Sequence, residues 1–313
     1  MGYYLAGIPM KNYLVASSSP LTESVERIVC CELGNFSAAI LKSCADYQRS
    51  RTGHGRKVVY VEDGYYADAS FENEILTLAE GLKLFSEAYG KVSKKMLLIP
   101  SVSASSLKLE DWLDSCMGFQ QLGARIIQLD FFYLGTLQHD SAFYDELTYL
   151  LSVLRRKLSC KIMPKLNLRF DAGKICTVLK KSGIHTVSLL DSMREDPDEK
   201  YGLHKGTTSY FGPRELPYTK YYMQVAKQHG LEVCVGGGIT CKKDIEELIN
   251  DGADMIQVAS YVLRRDYRSV QDLLPADASY DFSNPILKHN PWCDYLSRDN
   301  CDGCGACANR LLP

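Results

Sequence analysis

Short apolar runs and longer runs with a helical period alternate along most of this chain. The strand-like runs are YLVAS (13–17), AAILKS (38–43), MLLIPSV (96–102), RIIQLDFF (125–132), KIMPKLN (161–167), TVSLLDS (186–192), LEVCVGGG (231–238) and MIQVAS (255–260). Each is too short for a helix of ordinary length and is rich in branched residues, which fits strands buried on both faces. Between them lie segments with apolar residues three and four apart, at 22–34, 71–90, 109–123, 145–158, 171–183, 216–230 and 241–252. Most close near a glycine, the residue that most easily adopts the left-handed turn ending a helix. Eight strand-like runs alternating with helices predict an α/β fold, a (β/α)₈ barrel, with a doubly wound sheet as the alternative. After residue 264 the alternation stops. Residues 1–275 are expected to form the barrel, and 276–313 a short Cys-rich C-terminal tail.

Composition narrows the partners. The 313 residues are 46% hydrophobic and 24% charged, with a formal net charge of −2. A near-neutral chain lacks the basic patch that nucleic acid requires, so no nucleic-acid partner is expected. No apolar run reaches the ~18 to 20 residues that span a bilayer, so no membrane partner is expected either. The N-terminus MGYYLAGIPMKNYL lacks the basic and long apolar regions of a secretory signal. The expected location is cytoplasmic. Of the twelve cysteines, Cys30, Cys31, Cys44, Cys116, Cys160, Cys176 and Cys234 sit in apolar-periodic segments. There they read as small core residues.

A barrel places its chemistry at the C-terminal ends of its strands. One run ends in Gly236-Gly237-Gly238, and the next in Ala259-Ser260 after the turn Gly252-Ala253. Such a pair lets backbone N–H groups approach a phosphate; a tight turn is the alternative reading. Lys42 and Lys165 stand at the ends of otherwise apolar runs, where an ammonium is costly unless it meets an anion or reaches the rim.

The order of these pieces resembles the dihydroorotate dehydrogenase family of FMN-dependent barrels and the flavin domain of dihydropyrimidine dehydrogenase. The resemblance is carried by NYLVASS, AAILKSC, LGARIIQLDF, IMPKLN, TVSLLDS and VCVGGGITCKKDIEELINDGADMIQVAS, and covers roughly residues 7–270. It implies an FMN cradle. Ala16, Ser17 and Ser18 would lie along the flavin ring, with Lys42 and Ser43 on the flavin and substrate side. Lys165 would face the ring edge that becomes negative on reduction, with Asp130 and Ser188 as polar neighbours. Gly236, Gly237, Gly238, Ala259 and Ser260 would hold the phosphate.

The chain departs from that family at its fourth strand, LDFFYLG. Asp130 stands where the family has Asn, and Tyr133 where it has its proton-accepting Cys. Tyr133 either handles a proton or packs with Phe131 and Phe132. With Lys42 it is a candidate catalytic residue. At the sixth strand Asp191 replaces an Asn and Ser192 is kept, and both are candidate substrate contacts. The two carboxylates and the tyrosines Tyr65, Tyr66, Tyr133 and Tyr210 point to a neutral or cationic substrate rather than dihydroorotate.

The tail spells Cys301-x₂-Cys304-x₂-Cys307, the first three ligands of a ferredoxin-like run, with Cys293 upstream as the fourth. Four thiolates suit a [4Fe–4S] cluster or Zn²⁺; a metal-free tail is the third option. The expectation is an FMN-dependent dehydrogenase or reductase acting on CH–CH groups. It would exchange hydride or electrons with a small unsaturated substrate, and the tail cluster would relay them to an electron-transfer protein. A homodimer is its expected assembly. The alternatives are a barrel that binds FMN or a phosphorylated ligand as a sensor or subunit, with structural zinc in its tail, and a phosphate-handling lyase or isomerase without flavin.

Overall fold

The computed structural model describes residues 2–45, 57–68, 75–132, 134, 137–190, 192–206, 208–275 and 282–288. The chain opens with a hairpin, β1 (Tyr3–Leu5) and β2 (Ile8–Met10), followed by β3 (Leu14–Ala16), α1 (Val25–Leu33), β4 (Ala38–Ile40) and β5 (Cys44–Ala45). A second hairpin, β6 (Lys57–Val61) and β7 (Gly64–Asp68), precedes β8 (Leu76–Thr77) and α2 (Leu78–Tyr89). The middle of the chain runs β9 (Leu97–Ile99), β10 (Ser101–Ser103), α3 (Leu109–Gln121), β11 (Ile126–Asp130), α4 (Ser141–Lys157), β12 (Lys161–Lys165), α5 (Ala172–Lys181) and β13 (Thr186–Leu189). The last part runs β14 (Met193–Arg194), β15 (Thr208–Phe211), α6 (Leu216–Gln228), β16 (Glu232–Val235), α7 (Lys242–Asn250), β17 (Met255–Val258) and α8 (Ser260–Leu263).

Eleven strands form one curled, barrel-like parallel sheet, in the order β8-β5-β10-β11-β12-β13-β16-β17-β3-β4-β9. The eight apolar runs therefore do become strands. Six of the eight strands stop two or three residues short of their runs. Helix starts follow capping chemistry rather than the apolar period. Ser24 caps α1 through the N–H of Arg27, so the helix begins after the Thr22 that the apolar pattern suggests as its start. Asp140 accepts from the N–H of Phe143 and starts α4 at Ser141, earlier than the periodic segment.

Successive strand residues point to opposite faces, and the core divides accordingly. Ile127 and Leu129 of β11 join the large cluster between sheet and helices. Ile126, with Val15, Ala38, Ile40, Ile99, Met163, Cys234 and Met255, forms a separate cluster on the inner face. Leu5 and Ile8 of the first hairpin complete this inner cluster and plug that end of the sheet. The hairpin turn needs positive φ at Ala6 and Gly7 (51° and 76°), and the Ala6 N–H is held by Glu232 Oε1 at 2.5 Å.

One layer has no counterpart in the apolar pattern. Strands β14, β15, β7 and β6 form a four-stranded antiparallel sheet. Arg214 anchors it, with Nε 2.9 Å from Asp63 Oδ2, Nη1 2.6 Å from Glu195 Oε1, and the guanidinium 3.7 Å over the Tyr210 ring. Residues 289–313, with Cys293, Cys301, Cys304 and Cys307, lie outside the described residues. Residues 282–288 are described, and Leu287 packs fully buried in the main core. Among the described residues, no helix is long and apolar enough to cross a membrane, and no three His, Cys, Asp or Glu side chains are grouped to hold a metal ion.

Candidate functional site

The strand ends that the sequence singles out converge on one cavity of about 230 Å³. Ser17 and Ser18 follow β3, Lys42 and Ser43 follow β4, Asp130 closes β11 and Lys165 closes β12, and all six line it. Ser192, Gly236, Gly237, Ala259 and Ser260 line it as well. Asp130 and Lys165 are opposite each other in the β11–β12 register, and Lys165 is opposite Ser188 of β13. Parallel neighbours in register share a face, so these polar ends form one row on the inner side. Asp130 and Lys165 are both buried.

A chain of hydroxyls runs beneath the cavity. Ser43 Oγ donates to Asp130 Oδ2 at 2.7 Å, while the Phe132 N–H donates to Oδ1 at 3.1 Å. The single Ser43 proton being used there, its oxygen is left to accept from Ser101 Oγ at 2.9 Å and Ser18 Oγ at 3.2 Å. Ser18 thus turns its proton inward and offers lone pairs to a ligand, in contrast to the two lysines, which offer only donors.

The glycine run has packing reasons of its own. A Cβ on Gly236 would stand 2.4 Å from the Gln257 carbonyl oxygen, and one on Gly238 (φ +82°) 2.4 Å from the Leu216 backbone nitrogen. Both approaches are to backbone, which cannot swing aside. The space beside Gly236 lets Gln257 cross from β17 to β13, where its Nε2 donates to Leu189 O at 2.8 Å and Ser188 Oγ at 2.9 Å. An adjoining chamber of about 70 Å³ is lined by Gly237, Gly238, Ala259 and Ser260, together with Arg264 and Arg265.

Two candidates are placed elsewhere. Ala16 packs in the cluster shared with the helices, and Ser188 is fully buried under Gln257; neither lines the cavity. Tyr133 and Asp191 lie outside the described residues. Of the tyrosines, Tyr65 covers the cavity, stacked on Phe211 (centroids 4.9 Å, planes 13° apart), with its hydroxyl 3.1 Å from Ser260 Oγ. Tyr66 and Tyr210 instead belong to the Arg214 network.

Three features escape sequence reasoning. Glu215, between Arg214 and α6, is a buried carboxylate lining the cavity. Gln257 divides cavity from chamber. The second antiparallel sheet supplies the cover. The seven cysteines read as core residues are all buried. Burial pushes the Cys44 and Cys176 thiols up to about 12 and that of Cys160 to about 11, which makes them poor nucleophiles and metal ligands. No family model matches the chain, and no curated protein matches it. The likeness to dihydroorotate dehydrogenases therefore rests on the quoted motifs.

Proposed function

We propose that the chain is an FMN-dependent oxidoreductase built on a (β/α)₈ barrel. One observation carries the reading: Lys42, Lys165, Asp130 and serines from five separate stretches of the chain meet in one cavity, continuous in its lining with a chamber bordered by glycine backbone and two arginines. Continuity of the chain supports the eight-fold count. β4 and β5 are segments of one stretch, and so are β9 and β10, divided at Pro100. β9 pairs with β4, while β10 pairs with β5 and β11, and the two-residue β8 is added at the edge beside β5.

The residues present suit a flavin mononucleotide. The chamber offers Arg264 and Arg265 guanidiniums and the backbone of Gly237 and Gly238, a donor set for a phosphate. The cavity offers ammonium groups, hydroxyls and the flat faces of Tyr65 and Phe211. A bound flavin supplies a ring that accepts a hydride or single electrons. Around it, Lys165 and Lys42 place positive charge, Ser18 presents an acceptor, and Tyr65 and Phe211 exclude water. Asp130, with its two carboxylate oxygens accepting from Ser43 and the Phe132 N–H, places a carboxylate in the cavity lining. For the tail, the proposal is a [4Fe–4S] cluster on Cys293, Cys301, Cys304 and Cys307 that passes electrons to a partner protein; zinc is the alternative metal.

Anaerobic purification with a visible spectrum and metal analysis tests this. The expected product is coloured, releases FMN on denaturation and contains iron. A colourless protein that gains no flavin spectrum when incubated with FMN overturns the reading; zinc in place of iron overturns the cluster alone.

A further inference from the structure

Glu215 is a carboxylate that only the folded chain reveals as part of the site. It closes the helical turn Pro213–Glu215 ahead of α6, with its N–H donating to Gly212 O at 3.1 Å. It is 3% exposed and lines the cavity. Its position is held from two sides. Arg214, the residue before it, is tied outward into the antiparallel sheet through Asp63 and Glu195. On the other side its carboxylate lies against the turn after β16, where a Cβ on Gly237 would stand 2.8 Å from Oε1. A carboxylate that keeps its charge in such a place acts on anything that enters.

The charged side chains lining the cavity, among the described residues, are Lys42, Lys165, Asp130 and Glu215. Two ammonium groups are thus matched by two carboxylates. The arginines belong to the adjoining chamber, where a phosphate would use them. Among the described lining residues, no surplus positive charge remains for a carboxylate on the substrate. We propose that Glu215, acting with Asp130, sets the substrate class of this site: a neutral or amine-bearing molecule is accepted and an anion is rejected. The inference rests on the flavin reading of the cavity and adds a specificity residue to it. Specificity of this kind comes from repelling the wrong ligand as much as from attracting the right one.

Sulfite tests the charge without knowledge of the substrate. It is a small anion that adds to a bound flavin and bleaches its visible band, so its affinity reports how the site receives negative charge. With the full chain carrying FMN, weak bleaching that needs millimolar sulfite or more is expected. Glu215→Gln, nearly isosteric, should tighten sulfite by about tenfold or more, the effect of removing one nearby charge. Asp130→Asn should act in the same direction and decides the matter if the first variant does not fold. FMN affinity, followed by quenching of flavin fluorescence, is measured alongside. Tight sulfite bleaching of the unaltered protein, or unchanged sulfite affinity in the folded variants, overturns the charge assignment and leaves the flavin reading standing. Failure of the unaltered protein to bind FMN overturns the flavin reading and the inference with it.

Discussion

The two ends of the barrel-like sheet are built from the same strands and have opposite interiors. Moving up the inner face of β11, Ile126 gives way to Gln128 and then Asp130; on β12, Met163 gives way to Lys165; on β17, Met255 gives way to Gln257. At the lower end the inner residues form an apolar cluster sealed by Leu5 and Ile8. At the upper end they form a polar row open to a cavity. Two to four residues of strand separate the two environments. The lower end contributes stability because it is dry and filled. The upper end can place charges because its groups are hydrogen-bonded and meet a ligand space. This division between strand ends is the one expected of parallel barrels.

Exchanging the two environments on one strand should have the largest effect. Met163→Lys puts an ammonium into the apolar cluster with no partner, a cost of several kcal/mol against a total stability of about 5–15 kcal/mol. The expected outcome is loss of the cooperative thermal transition. Lys165→Met, two residues on, should stay folded and lose about tenfold or more in FMN affinity. If the first variant melts normally, the lower end is not a dry core. If the second retains its FMN affinity, Lys165 has no role at the flavin.

Removing the plug tests the lower end more gently. Leu5 is fully buried in that cluster, and Leu5→Ala should cost about 3 kcal/mol in denaturant unfolding. FMN affinity should stay within about twofold, because the hairpin lies at the end away from the cavity. At the upper end, Gly236→Ala drives a methyl against the Gln257 carbonyl, and should cost about 1–3 kcal/mol together with a loss of FMN affinity. Gly183→Ala is its control: φ is +73° and nothing lies within 4 Å of the added methyl. That change should cost about 1 kcal/mol through backbone conformation alone and leave ligand binding intact. Equal loss of FMN binding in the two variants would show that Gly236 matters only as a flexible residue.

The parallel strands were legible because burial on both faces forces apolar runs that no helix of such length produces. Lys42 and Lys165 were legible for the converse reason, since a charge in such a run demands an explanation. The antiparallel sheet was not. Its strands are short, carry Tyr, Asp and Gly together, and pair across the chain, as Tyr65 does with Phe211. Glu215 gave no local signal either, because its burial depends on the turn at Gly237, on a different strand. The glycine run reads in the sequence as a phosphate cradle or a tight turn; its backbone contacts with Gln257 and Leu216 are a further cause that spacing does not reveal. Tyr133, Asp191 and the four tail cysteines lie outside the described residues, so their roles stand on the sequence alone.

The smallest effect concerns a carboxylate at the lower end. Burial raises the Glu232 carboxyl above its ordinary value, and the Ala6 N–H pulls only partly the other way. A carboxyl whose pKa is raised by folding holds its proton more tightly when folded. Its contribution therefore favours the fold at acid pH and is lost as pH rises through the folded value. In Glu232→Gln the amide oxygen can still accept from Ala6, and the titration is removed. The stability of the variant relative to the unaltered protein should therefore increase as pH rises from about 4 to 7. Denaturant midpoints of the two proteins, measured in parallel across that range, check this. Parallel curves would mean that Glu232 reaches water as freely in the folded chain as in the unfolded one. The lower rim would then be wetter than its apolar cluster implies, and the contrast between the two ends of the sheet correspondingly weaker.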